Sequence, residues 1–154
     1  MSTRSALLVA DASPIIFLSG IGQLDLLHRV AGRVLTTETV SREVGTALPT
    51  WITIVPDPLP EHHPAFAVRL DPGERSAIAL ALSYGDRELL IDERAGRREA
   101  TRLGLPIVGT LGILRRAKLA GLVVTVRPLI GELTQTGFRA SPKLLADFLE
   151  SCGE

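Results

Sequence analysis

The chain has little of several features that mark common classes of protein. Its only cysteine, Cys152, excludes an internal disulfide and a cage of thiolate metal ligands. Lys and Arg together number 17, as do Asp and Glu, so the net charge is zero, which argues against a uniformly basic nucleic-acid-binding protein but allows a local basic stripe. No apolar run could span a membrane, and the stretch before Asp11 is too brief for a signal peptide. We therefore expect a cytoplasmic protein with no membrane partner.

The residues that are present suit one compact domain. The chain has 154 residues, enough to bury one hydrophobic core, and 45% of them are hydrophobic. Short apolar runs alternate with amphipathic stretches, and glycine and proline residues separate them. This alternation predicts a single α/β domain over residues 1–154, a three-layer α/β/α arrangement with a central, mostly parallel sheet and helices on both faces.

Local patterns assign strands and helices to particular stretches. The predicted strands are 7–10, 33–35, an edge strand within 51–55, 89–91, 107–108 and 122–126. The predicted helices are 14–19, 23–30, one from Thr36 or Thr37 to about residue 48, 72 to near 85, 94–103, 111–119, 128–135 and 141–151. The last is an amphipathic C-terminal helix whose apolar face carries Leu144, Leu145, Phe148 and Leu149.

Four acidic residues stand where these elements begin or end. Asp11 follows the first predicted strand, and Asp92 follows the strand at 89–91. Side chains at the carboxyl ends of parallel strands converge on one crevice, so these two aspartates are placed to meet. Glu43 lies beside the apolar face of its predicted helix, and Glu74 opens another helix. The pattern indicates a carboxylate cluster.

Each acid also has a purely structural interpretation. Asp11 can bond to the backbone of a turn before Pro14, and Glu74 occupies the third helical position, where a capping-box glutamate belongs. Glu43 can be a solvated helix residue. Asp92 is harder to explain in this way, because it ends a buried strand and is followed directly by Glu93.

A cluster of these acids would need a cation. Two carboxylates about 4 Å apart repel by roughly 4 kcal/mol at an effective dielectric near 20. Mg²⁺ and Mn²⁺ prefer oxygen ligands and turn this repulsion into coordination. The adjacent His62 and His63 lie in a proline-rich stretch and lack a helical ligand spacing, so they are poor competitors for this role.

The order Asp11, Glu43, Glu74, Asp92 resembles the acidic quartet of PIN-domain ribonucleases. Four ordered blocks are similar to one bacterial and archaeal branch of that family, the VapC-like toxins: DASPIIFLSGIGQLDLL, PGERSAIALAL, LLIDERAGRREA and GTLGILRRAKLAGL. The resemblance spans the chain from Ala10 to its last residues and implies a PIN-like fold.

This resemblance also implies an activity. It predicts a Mg²⁺- or Mn²⁺-dependent endoribonuclease, the toxin of a toxin-antitoxin pair, with an antitoxin protein as partner and a homodimer as its assembly. Asp11, Glu74 and Asp92 match the metal-binding acids, and Glu43 matches the helical glutamate that completes the catalytic set.

Two positions depart from the pattern of the family. Many such toxins carry a threonine two residues before the last core aspartate and an acid three residues after it, where this chain has Leu90 and Ala95. Glu93 is expected to supply the missing charge, and Thr110 to bind a water or a phosphate. They form a secondary part of the predicted site.

Four arginines lie on the predicted helix just after Asp92. Arg94, Arg97, Arg98 and Arg102 recur at helical spacings and form one stripe that could hold an RNA backbone. Arg115, Arg116 and Lys118 form a second, shorter patch. Both can equally be solvated helix faces.

Two other functions remain open at this stage. One is a non-catalytic PIN-like module that binds RNA or protein, which the departures at Leu90 and Ala95 make conceivable. The other is a receiver-like phosphorylation domain, since two strand-end aspartates, Thr110 and Lys118 occur in order. Against it, Asp11 lacks a neighbouring acid, and Lys118 follows Thr110 too closely.

Overall fold

The computed structural model describes residues 7–154, and its centre is a sheet of five parallel strands. The strand order is β3-β2-β1-β4-β5, and the strands are β1 (Leu7–Ala10), β2 (Val34–Thr37), β3 (Ile52–Val55), β4 (Arg87–Leu90) and β5 (Ile107–Val108). The predicted α/β/α architecture is confirmed. The first six residues of the predicted domain, which also open the stretch considered for a signal peptide, lie outside the described residues.

Helices follow or connect the strands. They are α1 (Ala12–Gly20), α2 (Asp25–Ala31), α3 (Glu38–Val44), α4 (Pro72–Leu82), α5 (Arg94–Arg102), α6 (Thr110–Leu119), α7 (Arg127–Gln135) and α8 (Pro142–Ser151), with a short 3₁₀ turn at Pro60–His62. No helix within residues 7–154 is long and apolar enough to cross a membrane.

The middle of the sheet brings the two strand-end aspartates together. β1 lies between β2 and β4, and its residues Leu8 and Val9 are fully buried. Ala10 stands opposite Leu90 in the register, and the backbone N–H of Asp11 donates to the carbonyl of Leu90 at 3.0 Å. The chain therefore leaves two neighbouring strands at the same edge, just before Asp11 and Asp92.

Capping residues set the starts of two helices near this edge. Thr37 ends β2, and its hydroxyl accepts from the backbone N–H of Val40 to begin α3. At the start of α4, Asp71 accepts from the N–H of Glu74 while Glu74 accepts from the N–H of Asp71, the predicted capping box. The prediction that α3 extends to about residue 48 was wrong, because Gly45 adopts a left-handed conformation and ends the helix.

The predicted strand at 122–126 is absent from the structure. Its β-branched composition favours a strand, but Val124 is 91% exposed and the stretch joins no sheet. Side chains satisfy its backbone instead: Glu154 accepts from the N–H of Val126 at 2.7 Å, and Lys118 donates to the carbonyl of Val124 at 2.8 Å. These bonds replace the partner strand that the prediction assumed.

One residue of the C-terminal helix also departs from its prediction. Phe148 is buried in the core, as expected, and Leu145 and Leu149 pack against it from the same helix. Leu144, which was assigned to the same apolar face, is 52% exposed. Leu144 instead lines a surface cavity beside α5, so it does not join the core as Leu145 does.

Candidate active site

The two most buried acids of the predicted quartet lie at the starts of helices. Asp11 occupies the N-cap position of α1 and is 3% exposed, and Glu74 lies in the first turn of α4 and is 7% exposed. Both positions favour a negative charge, because the N-terminal end of a helix carries a partial positive charge. Asp92 is half-buried between β4 and α5, and Glu43, near the end of α3, is exposed as a residue.

Asp11 and Glu74 each carry a buried oxygen that has no hydrogen-bond partner. Within residues 7–154 these atoms, Oδ1 of Asp11 and Oε2 of Glu74, are the buried side-chain polar atoms left unpaired. An unpaired buried acceptor costs about 1–3 kcal/mol, so proteins seldom keep one without a use. Both atoms are available to a ligand.

The other two acids of the quartet are already engaged. Oε1 of Glu43 accepts from the backbone N–H of Gly73 at 3.0 Å, which joins α3 to the start of α4. Asp92 accepts from the backbone N–H of Thr110 at 2.8 Å and from its hydroxyl at 2.6 Å. Thr110 therefore fixes the orientation of Asp92, whereas its hydroxyl was expected to bind a water or a phosphate. The predicted secondary residue Glu93 is exposed at the N-cap of α5.

The pKa values of the two buried acids reflect crowding of negative charge. Burial raises the pKa of Asp11 to about 7, and the charges of Asp71, Glu43 and Asp92 add to the shift. Burial also raises the pKa of Glu74 to about 8, with contributions from its bond to Asp71 and from the charges of Asp71 and Asp11. Asp71, which caps α4, is therefore a fifth acid of this cluster.

The pKa values of the remaining two acids shift in the same direction. Partial burial of the Glu43 carboxylate against the start of α4 raises its pKa, followed by the charge of Asp71. Burial raises the pKa of Asp92, while the bonds from Thr110 and the charge of Arg97 lower it. All four predicted acids thus share one electrostatic environment.

Three glycines leave the room that these carboxylates occupy. A Cβ atom on Gly96 would lie 2.6 Å from Oε2 of Glu74, and one on Gly73 would lie 2.5 Å from Oε1 of Glu43. A Cβ atom on Gly109 would lie 2.9 Å from Oδ1 of Asp92. Sequence reasoning missed this role, although all three glycines lie inside the blocks that carry the family resemblance.

Comparison with known proteins agrees with this geometry. A sequence model of the family described as PIN domain matches residues 7–154. The chain belongs to the PIN-domain family. No curated protein and no solved structure showed a significant match to it. PIN domains are generally nucleases, so the fold is nuclease-like and supports, at a coarse level, a hydrolase.

The acids of this PIN domain suit a hard divalent cation in their chemistry, but their present arrangement is incomplete. In the described part of the chain, no three His, Cys, Asp or Glu side chains are gathered as ready metal ligands. The reason is visible in the bonding, since Glu43 is turned to Gly73 and Asp92 to Thr110. The unpaired oxygens of Asp11 and Glu74 nevertheless fit Mg²⁺ or Mn²⁺, whose preferred ligands are carboxylate oxygens.

The predicted arginine stripe of the PIN domain divides into two parts. Arg94, Arg97 and Arg98 line a cavity of about 800 Å³, with Asp92 on its wall. Arg102 faces elsewhere: it forms an ion pair with the buried Glu99 and donates to the carbonyl of Ala65 at 2.9 Å. The cavity gains instead a basic residue that sequence reasoning missed, Arg139, from the stretch before α8.

Other basic residues of this PIN domain bond to groups outside the predicted acidic quartet. Arg116 forms two bonds of 2.7 Å with Glu88. Lys118, which a receiver-like domain would place beside its phosphorylated aspartate, donates to Val124 and to Glu154 instead. The receiver-like alternative therefore has no support in the placement of this lysine.

Proposed function

We propose that the chain is a Mg²⁺- or Mn²⁺-dependent endoribonuclease that hydrolyses phosphodiester bonds of RNA. The observation that carries this proposal is the pair of buried, unpaired carboxylate oxygens on Asp11 and Glu74, within a cluster of acids whose pKa values are raised. Such a cluster is unfavourable for folding alone and suits the binding of a cation. Membership of a family of nucleases supports the same activity.

In this proposal Asp11, Glu74 and Asp92 are the metal ligands, and Glu43 completes the catalytic set. A divalent cation held there would supply an activated water and would stabilise negative charge on the phosphodiester. The oxygen of the water forms a bond to phosphorus as the bond between phosphorus and the 3′ oxygen breaks. The 3′ oxygen takes up a proton, and the water gives one up. By resemblance to the family, the products carry a 3′-hydroxyl and a 5′-phosphate.

The chain's own residues prepare this reaction by positioning the acids. Thr110 holds Asp92 through two bonds, and Gly96 leaves space for the free oxygen of Glu74. Leu90 replaces the threonine expected two residues before Asp92 and is fully buried in β4. The contact between Thr110 and Asp92 supports the view that Thr110 supplies the hydroxyl that this position lacks. Glu93 remains a secondary candidate.

The toxin role, the antitoxin, the homodimer and the cytoplasmic location belong to the same proposal. They rest on the resemblance of four sequence blocks to VapC-like toxins. Induced production of the chain in a bacterial host should arrest growth, and the Asp11→Asn variant should not. Gel filtration with light scattering of the purified chain would measure whether it forms a dimer.

The central experiment is cleavage of a long single-stranded RNA by the purified chain. With Mg²⁺ or Mn²⁺ we expect cleavage, and Asp11→Asn should lower its rate by more than about 100-fold, since even residues that only support metal ligands contribute 10–100-fold. Asp25→Asn is the matched control, because Asp25 is an exposed acid on α2. Equal rates for both variants would remove Asp11 from the active site and the proposal with it.

A second function is favoured by one observation. No three acids are gathered as ligands within residues 7–154, which suits a non-catalytic module that binds RNA or protein. RNA that is bound but stays uncut at every concentration of Mn²⁺ would identify this module in place of the enzyme.

A further inference from the structure

The open cavity beside Asp92 is lined by parts of the chain that lie far apart in sequence. Arg94, Arg97 and Arg98 enter it from α5, and Arg139 enters it from the stretch that leads into α8. Its volume of about 800 Å³ lies within the range of small-molecule sites, about 300–1,000 Å³. It is therefore large enough to enclose a nucleotide.

Positive charge in this cavity is largely uncompensated. None of its four arginines forms an ion pair with an acid in the described part of the chain. Arg97 donates to the carbonyl of Ile91 at 2.7 Å, and Asp92 is the one acid among the lining residues. In a chain without net charge, this concentration of arginines selects an anionic ligand.

The same cavity has an apolar part. Ile107, from β5, and Leu144, from the first turn of α8, both line it. Leu144 is 52% exposed although other residues of its helix pack into the core. An anionic ligand that also presents a flat apolar face matches both parts, and a nucleotide has both a phosphate and such a face in its base.

We propose that this cavity holds an unpaired nucleotide of single-stranded RNA, next to the phosphate that is cut beside Asp92. The arginines bind its phosphates, and Ile107 and Leu144 contact its base. Arg139 and Leu144 thereby become residues that determine specificity. This inference rests on the proposed function, since it takes RNA as the substrate.

The occupant is a single strand because of where the apolar residues lie. In double-stranded RNA the bases are stacked and paired, so proteins read such helices mainly through the backbone and the 2′-hydroxyls. A base in a single strand can leave the stack and lie against a protein side chain. An acidic protein segment without apolar side chains would satisfy the arginines but would leave Leu144 without a role.

The test measures RNA binding without cleavage. A fluorescent single-stranded RNA of mixed sequence is titrated with the full chain in EDTA, and its anisotropy is followed. We expect Arg139→Gln and Leu144→Ala each to weaken binding by about fivefold, and Arg139→Gln to lower the log–log salt slope by about 0.7, the contribution of one phosphate contact on a single strand. A duplex of the same length should be insensitive to Leu144→Ala.

Matched controls come from α6. Arg115→Gln makes the same change of charge, and Leu119→Ala removes the same apolar atoms from a residue that is 64% exposed. Neither residue lines the cavity. Thermal unfolding of all four variants confirms that differences in binding do not arise from loss of the fold.

The outcomes separate this inference from the proposed function. If Arg139→Gln and Leu144→Ala bind single-stranded RNA as well as their controls do, the cavity inference is wrong even when the chain cuts RNA with Mn²⁺. Binding that depends on both residues, in a chain that never cuts, would overturn the enzyme while the cavity would still be the site that holds the nucleotide. A poly-glutamate peptide that binds through Arg139 where RNA does not would overturn the inference.

Discussion

Glu154 and the pair formed by Asp11 and Glu74 are acids of the same chemistry in opposite surroundings. Glu154 accepts hydrogen bonds from the hydroxyl of Thr125, the N–H of Val126, the amine of Lys118 and the N–H of Arg127. These donors, the hydroxyl first, lower the pKa of Glu154 to about 2, although burial opposes the shift. Asp11 and Glu74 keep one unpaired oxygen each, and their pKa values rise to about 7 and about 8.

The comparison teaches what distinguishes a structural carboxylate from one kept for a ligand. Every bond that Glu154 can make is directed to its own chain, so it stabilises the junction of α6 and α7 and has no capacity for a cation. Asp11 and Glu74 each keep one oxygen that has no donor, and both are surrounded by other acids. A cation from outside can supply the charge that the chain does not.

The largest effect that we expect from this comparison is a dependence of the free energy of unfolding on pH. In EDTA, Asp11 and Glu74 hold protons in the folded chain at pH values where the unfolded chain has lost them. The contribution of these two acids to the free energy of unfolding is therefore greatest below pH about 4 and falls as pH rises towards 8, by up to about 1.4 kcal/mol per pH unit for each acid. Urea unfolding at a series of pH values measures it. The double variant Asp11→Asn, Glu74→Gln should remove most of the slope.

Added metal should sharpen the contrast. Mn²⁺ at about a hundred times its dissociation constant should stabilise the chain by roughly 2.7 kcal/mol at pH 7. Thermal unfolding with and without Mn²⁺ should show this shift for the native chain and for Glu154→Gln, but not for Asp11→Asn. A shift that survives Asp11→Asn would place the metal elsewhere.

Crowding the space beside Glu74 should have a smaller effect. In Gly96→Ala the new Cβ would meet Oε2 of Glu74 at 2.6 Å and Cδ1 of Ile91 at 2.5 Å. We expect a loss of stability of about 1–3 kcal/mol, typical of overpacking, together with a weaker response to Mn²⁺. Gly131→Ala is the control, because its Cβ would meet nothing within 4 Å, and it should leave stability unchanged or raise it by up to about 1 kcal/mol.

The smallest effect is expected at Glu154. Because folding lowers the pKa of Glu154, this residue stabilises the fold at pH values above its pKa in the unfolded chain. That contribution is lost as pH falls through about 2. Glu154→Gln should lower the unfolding temperature slightly at pH 7 and leave RNA cleavage unchanged. A variant that loses cleavage while it stays folded would show that the two regions are coupled.

Much of the fold follows from local sequence signals. Buried runs and helix caps predicted all five observed strands, the capping box at Asp71 and Glu74, and the position of Asp11 and Asp92 after two strands that end at the same edge. These features depend on neighbours in sequence or on the general convergence of parallel strand ends. They need no knowledge of particular side-chain partners.

The parts that could not be predicted depend on contacts between distant residues. The stretch 122–126 has the composition of a strand, yet the side chain of Glu154 bonds its backbone. The place of Arg139 in the basic cavity depends on where the stretch before α8 packs. Likewise, Gly73 and Gly96 show their role only when the carboxylates beside them are seen.

The pairing of β1 with β4 has a consequence for the folding of the chain during translation. Ala10 stands opposite Leu90, so Asp11 lacks this neighbouring strand while two further strands and four α-helices are translated. Asp92 gains its orientation only after Thr110 has left the ribosome. A nascent chain would thus lack the complete acidic cluster while most of its own messenger RNA is being translated.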